Sequence, residues 1–87
     1  MMQIGKDIRH FVVQNFLFGQ DRDLSDEDSF FEQGIIDSTG VLELVAFVEE
    51  HFGIKVGDAD LIPENLDSIQ AVTAFIQRQA SQNRARA

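Results

Sequence analysis

The chain has no cysteine, no tryptophan and no tyrosine, and its 87 residues include a single proline. Without cysteine there are no disulfides and no thiolate metal sites, so any thiol chemistry must come from an added group. No apolar run approaches the roughly 20 residues that span a membrane. The opening Met1-Met2-Gln3-Ile4-Gly5-Lys6-Asp7 also lacks the long apolar core of a signal peptide. A cytoplasmic protein is the expectation. Basic residues are scarce where acid is dense. Residues 21–50 hold ten Asp and Glu against the single base Arg22, a charge of −9, and the rest of the chain sums to +1. Clustered Lys and Arg, which a nucleic-acid surface needs, are missing. Such acidity favours partner proteins with basic surfaces and speeds their encounter at low salt.

What is present reads as one small all-α domain. Ile4, Ile8, Phe11, Val12 and Phe16 recur at helical spacing and predict a first helix over about 3–17, stopped near Gly19. Residues 18–37 make a connection long enough to suggest function or a short element of its own. Leu24, Phe30, Phe31, Ile35 and Ile36 are spaced as anchors for it, and Ser25 with Asp28 loosely fits a capping box around one turn. A second helix runs from Ser38 to about Phe52. At 100° per residue it turns Val41, Leu44, Val45, Val48 and Phe52 inward and Glu43, Ala46 and Glu50 outward. Leu42 and Glu49 fall on one flank, Phe47 and His51 on the other. Ile54-Lys55-Val56 reads as an extended connection, and Asp58–Ile62 as a turn before Pro63. Asn65 or Asp67 can cap a last helix whose inner stripe is Ile69, Val72, Thr73 and Ile76, with Phe75 beside it. The expected architecture is a four-helix bundle of three main helices and one short one, with a long loop between the first two. Residues 1–80 form the domain and the polar residues 81–87 a frayed tail. No internal repeat or Pro-rich linker is visible, so a discrete protein is expected.

The centre of this organisation is Gly34-Ile35-Ile36-Asp37-Ser38-Thr39-Gly40-Val41-Leu42-Glu43-Leu44-Val45. Gly34 is free to adopt a turn closed to other residues. Asp37 or Ser38 can accept hydrogen bonds from the N–H groups of the helix that follows. Ser38 then stands at a helix N-terminus, where a phosphodiester is electrostatically favoured. The alternative is that Ser38 is only an N-cap. The two histidines, His10 and His51, lie on different predicted helices, so no base is evident that would make Ser38 a nucleophile in its own right.

This stretch resembles the attachment site of acyl and peptidyl carrier proteins, which read roughly Gly-x-Asp-Ser before an apolar helix. The likeness extends over about residues 4–77. It includes Asp28-Ser29-Phe30-Phe31-Glu32-Gln33-Gly34, the Asp37-Ser38 pair, and Leu42-Glu43-Leu44-Val45. It also includes Glu49-Glu50-His51-Phe52-Gly53-Ile54 and Pro63-Glu64-Asn65-Leu66-Asp67-Ser68-Ile69. The resemblance implies an acyl-carrier-protein fold and a monomeric, non-enzymatic carrier. Ser38 would bear a 4′-phosphopantetheine arm taken from coenzyme A. A phosphopantetheinyl transferase would attach it, with Asp37 helping to position that enzyme's metal and coenzyme A. Thr39, Leu42, Glu43, Ala46, Glu49 and Glu50 would face partner enzymes.

Two positions depart from the fatty acyl pattern. Thr39 stands where a bulky aliphatic is usual, and Gly40 where an acid is frequent. Asp-Ser-x-Gly looks nearer to carriers loaded by adenylate-forming ligases, D-alanyl carriers among them. A small or polar acyl or aminoacyl cargo is therefore expected, delivered to downstream acyl-processing enzymes. The alternative is a fatty acid synthesis carrier, with Phe31, Ile36, Val45, Val48 and Phe75 lining a space for the chain. Eight phenylalanines argue for a filled interior instead. Two further readings belong to other classes. Asp21-x-Asp23-x-Ser25-x-Glu27 through Glu32 partly matches a calcium-binding loop, but Asp26 stands where Gly is needed and Asp28 where an aliphatic is expected. An acidic adaptor docking through the second helix would leave Ser38 unmodified.

Overall fold

A computed structural model describes residues 3–20 and 24–85, with side chains as far as residue 80. Four helices follow in order: α1 (Ile4–Phe16), α2 (Gly40–Phe52), α3 (Pro63–Leu66) and α4 (Ile69–Ala85), with a 3-10 turn at Asp58–Asp60 before α3. No strand occurs among the described residues, and Ile54-Lys55-Val56 is an extended connection.

One core joins all four helices. Ile8 and Val12 of α1, Leu44 and Val48 of α2, Leu66 of α3, and Ile69, Val72, Phe75 and Ile76 of α4 are buried in it. Val41, Val45 and Phe52 flank it, half-buried, as their angular positions on α2 require. On α1 the buried stripe lies slightly further round than the sequence suggests. Val13 and Leu17 are buried, while Ile4, Phe11 and Phe16 sit at the margin. The cause is that α1 packs on α4 as well as facing α2. On the α1–α2 seam Phe11 stacks on Phe47 with ring centroids 4.1 Å apart, and His51 stacks on the other side of Phe47 at 4.9 Å.

The long connection is tied down by its apolar residues and by one carboxylate. Leu24, Phe30 and Ile36 are buried, Phe30 completely. The Phe30 N–H donates to the Asp67 carbonyl at 2.7 Å. The Phe31 N–H donates to Asp67 Oδ1 at 3.0 Å, and the Ser29 hydroxyl donates to Asp67 Oδ2. Ser29 also accepts the Glu32 N–H at 3.1 Å, which opens a turn. That turn ends at Gly34, whose φ of +68° lies in the left-handed region that glycine adopts without strain. Phe31 was expected among the anchors but is 42% exposed. In a helical turn successive side chains diverge by about 100°, so when Phe30 enters the core Phe31 is turned to the surface. Further upstream the Ser25 turn forms, with the Ser25 N–H on Asp28 Oδ2 at 2.8 Å and the Glu27 N–H on Ser25 Oγ at 3.3 Å. Asp26 links it to α1 and α4, through Arg9 at 2.7 Å and through its carbonyl to the Gln70 N–H at 2.9 Å.

The start of α4 differs in detail from the sequence reading. Ser68 is the cap, its Oγ accepting the Ala71 N–H at 3.0 Å. Asp67 is occupied by the loop, and Asn65 lies within α3. There Asn65 donates to the Asp60 carbonyl at 3.0 Å and accepts from Arg78 at 2.8 Å. The short helix is α3, begun by Pro63 at its first position, while the anticipated turn before the proline is the 3-10 turn. The apolar stripe of α4 ends near Gln77, and its backbone stays helical to Ala85.

Replacing Asp67 by Ala removes a charged acceptor from two donors at once. The expected loss is about 2 kcal/mol, the scale of hydrogen bonds to charged groups. Chemical denaturation measures it, and amide exchange should accelerate first at Phe31 and Glu32. Unaltered stability with unaltered exchange would show that the loop is held by Phe30 alone.

Candidate functional site

The turn at Gly34 leads into Ile35, half-buried, and Ile36, buried. These two fix the chain just before the acidic-serine pair. The Asp37 carbonyl accepts the Val41 N–H at 3.0 Å, so the first helical bond of α2 starts there. Asp37 Oδ1 accepts the Gly40 N–H at 2.7 Å and the Thr39 N–H at 3.1 Å. Of the two capping candidates, Asp37 is therefore the one whose side chain accepts, and Ser38 lies in the turn between it and Gly40, the first residue of α2. Ser38 is exposed, and its hydroxyl has no hydrogen-bond partner among the described residues. The role of ordinary N-cap is already filled by its neighbour. An open hydroxyl at the positive end of a helix, with its backbone fixed on both sides, fits a phosphodiester attachment.

Nothing nearby activates that hydroxyl from within. His51 lies in the last turn of α2, with Nε2 3.3 Å from Asp7 Oδ2. His10 is exposed on α1.

Gly40 requires a correction. It departs from the fatty acyl pattern at a position where an acid is frequent, and it is buried, so partners do not meet it. A β-carbon there would come 2.9 Å from Phe16 Cε1 and 3.2 Å from Ile36 Cγ2. The glycine is needed because α1 crosses close to the start of α2, and it has no bearing on what partners meet. Thr39, the other departure, is exposed.

The outer face of α2 lies mostly where the helical wheel places it. Glu43, Ala46 and Glu50 are exposed, and so is Leu42, at 58%. Glu49 is half-buried, and its Oε2 accepts the Val56 N–H at 2.8 Å, so this carboxylate also braces the connection after α2. The five residues proposed to line an acyl space are divided. Ile36, Val48 and Phe75 are buried in the core, Val45 is half-buried, and Phe31 faces outward. Phe31 instead lines an open groove of about 220 Å³ with Val41, Leu61, Ile62, Pro63 and Leu66. The contribution of Leu61 and Ile62 was missed. Two aliphatics directly before a proline, in an otherwise polar stretch, were the signal for it.

The calcium loop does not assemble where it can be seen. Asp26 is paired with Arg9, and Asp28 accepts the Ser25 N–H. Asp21 and Asp23 lie outside the described residues. Among the described residues no three His, Cys, Asp or Glu side chains are grouped to hold a metal ion, and no helix is long and apolar enough to cross a membrane.

The capping role of Asp37 is separable from its charge. Asp37→Ala is expected to cost about 1 kcal/mol of stability, whereas Asp37→Asn keeps an acceptor and most of that stability. Denaturant melts of the two variants provide the comparison, and equal losses in both would refute the capping account.

Comparison with known proteins identifies a family. The family described as "Phosphopantetheine attachment site" matches residues 17–76. "Probable acyl carrier protein PigG" of Serratia sp. (strain ATCC 39006) is 32% identical over 73 residues, which is 84% of this chain and 83% of that protein. A chain solved under the description "Crystal structure of FAD-dependent dehydrogenase" superimposes with a TM-score of 0.71 at 28% identity. The match covers 79% of this chain and 97% of that one, so the solved chain is itself about the size of this domain. From its matched span and its relative, the chain belongs to the phosphopantetheine-binding carrier protein family, whose cofactor is covalently attached 4′-phosphopantetheine.

Proposed function

We propose that Ser38 is the attachment residue. The protein is then a non-enzymatic, monomeric, cytoplasmic carrier whose working domain is residues 1–80. The observation behind this reading is the unengaged Ser38 hydroxyl in the turn that leads into α2, where Asp37 already accepts the free N–H groups. In the transferase, Ser38 Oγ attacks the β-phosphorus of coenzyme A. A new P–O bond forms and adenosine 3′,5′-bisphosphate leaves, while the transferase's base takes the serine proton. Asp37 Oδ2, turned away from the cap, is available to that enzyme's metal. Once attached, the arm supplies the thiol that this cysteine-free chain lacks and holds an acyl or aminoacyl group as a thioester. The arm keeps that group at high effective concentration for several enzymes in turn.

Intact mass after incubation with coenzyme A and a broad phosphopantetheinyl transferase tests the assignment. The expected result is one added phosphopantetheinyl group, absent in a Ser38→Ala chain that melts like the parent. Modification persisting in that variant would sink it, and an unmodified parent would return the protein to the adaptor reading. The same holo protein tests loading. Adenylate-forming ligases with ATP should add aminoacyl or other small acyl groups, as exposed Thr39 suggests. Loading by long fatty acyl groups alone would favour fatty acid synthesis.

A dehydrogenase belongs among the downstream enzymes. The support is the small chain of like fold solved under the description of an FAD-dependent dehydrogenase. Such an enzyme would take a hydride onto its flavin and a proton onto a base from the carrier-bound acyl group. Flavin bleaching with the acyl-loaded carrier, and not with the same acyl group on free coenzyme A, is expected. Equal bleaching by both would remove the carrier from that step.

A further inference from the structure

At the end of α1 the fold displays an aromatic ring that it does not use. Leu17 turns into the core at 2% exposure, and Phe18, the next residue, is 86% exposed. Phe18 makes no ring contact among the described residues. Its backbone has φ +55°, a left-handed region that penalises any residue with a β-carbon. Gly or Asn is what helix termination alone would select there. The conformation is nonetheless held firmly. The Leu17 and Gly19 N–H groups both donate to the Val13 carbonyl, at 3.2 and 2.9 Å, and the Gln20 N–H donates to the Leu17 carbonyl at 2.9 Å. The ring is thus presented from a fixed backbone, with neither burial nor backbone preference to explain it.

Its position is specific. Phe16 meets the Gly40 end of α2, close to where Ser38 lies, so Phe18 stands at the end of the bundle that bears Ser38. The acid-rich segment begins shortly after it, and Asp37 and Glu43 carry the charge past Ser38. An aromatic anchor beside a negative field matches an apolar pocket with a basic rim.

We propose that Phe18 is a docking anchor for the phosphopantetheinyl transferase, seated in such a pocket. This rests on the reading of Ser38 as the attachment residue. The transferase is the partner singled out because it must bring its active site to the Ser38 oxygen itself, so its footprint covers this end of the bundle. Enzymes that act on the thiol work at the far end of the arm and need not approach so closely. A backbone already fixed before binding leaves only the side-chain torsions of Phe18 to be ordered, which makes it efficient as an anchor.

The test is calorimetric binding of a broad phosphopantetheinyl transferase to chains in a Ser38→Ala background, where no chemistry occurs. Adding Phe18→Gly should weaken binding about tenfold or more, while the melting temperature stays level or rises as the left-handed strain is relieved. Phe18→Leu should fall between. In the Ser38-intact chain, Phe18→Gly should raise KM and leave kcat unchanged. Binding within about twofold of the parent, or no binding by the parent itself, would overturn the anchor. A marked fall in melting temperature for Phe18→Gly would also overturn it, because the ring would then be structural. Intact mass of the Ser38-intact parent is read separately. An unmodified Ser38 with Phe18-dependent binding would refute the attachment residue and not the anchor.

Discussion

The tether between the long loop and Asp67 is the constraint on which the rest depends. A connection as long as residues 17–39 has many conformations, and the tether selects one that holds the loop and the Ser38 turn against the bundle. Phe30 provides the apolar attachment and Asp67 the polar one, through its own carbonyl and both carboxylate oxygens. The two act together. The buried ring holds the loop against the core, and the charged hydrogen bonds satisfy backbone and hydroxyl groups that would otherwise be left unpaired. The turn closed by Gly34 then passes this fixed point on to Ile36 and Asp37.

From there, helix-capping chemistry divides the work between neighbours. Asp37 takes the structural task and leaves the adjacent hydroxyl open. Gly40 lets α1 come close, which places the last turn of α1 beside the start of α2. Inner residues of α2 are used for the core, and its outer face leaves Leu42, Glu43, Ala46 and Glu50 exposed. A domain this small has little core to spare. It is consistent that Glu49 serves both sides, with one oxygen bracing Val56 while the residue stays partly exposed.

Periodicity made α1, α2 and α4 legible, because one stripe of apolar residues at helical spacing has few other solutions. The site was legible for a different reason: glycine, an acid and a serine before an apolar helix form a local pattern, and local hydrogen bonding carries it out. Individual roles were harder to read. Asp67 has the chemistry of a helix cap and acts as a loop tether, because its partners Ser29 and Phe31 are distant in sequence. Ser68 takes the vacated role. Phe30 and Phe31 are chemically identical, and the geometry of one turn decides which is buried.

Residue chemistry alone determined the helical class, the acidic surroundings of the site, the absence of any internal thiol, and Ser38 as the residue to examine. These follow from composition and from interactions within a few residues. Tertiary structure decided that Asp37 and not Ser38 caps α2, that Gly40 faces Phe16 and not partners, and that Phe31, Leu61 and Ile62 line a groove beside Val41. It also set Phe18 outward on a strained backbone. The Asp37 cap and the Phe18 turn were settled by backbone geometry within a few residues. Gly40 and the groove depend instead on which distant segment comes to lie against them, and a one-dimensional pattern does not contain that distance.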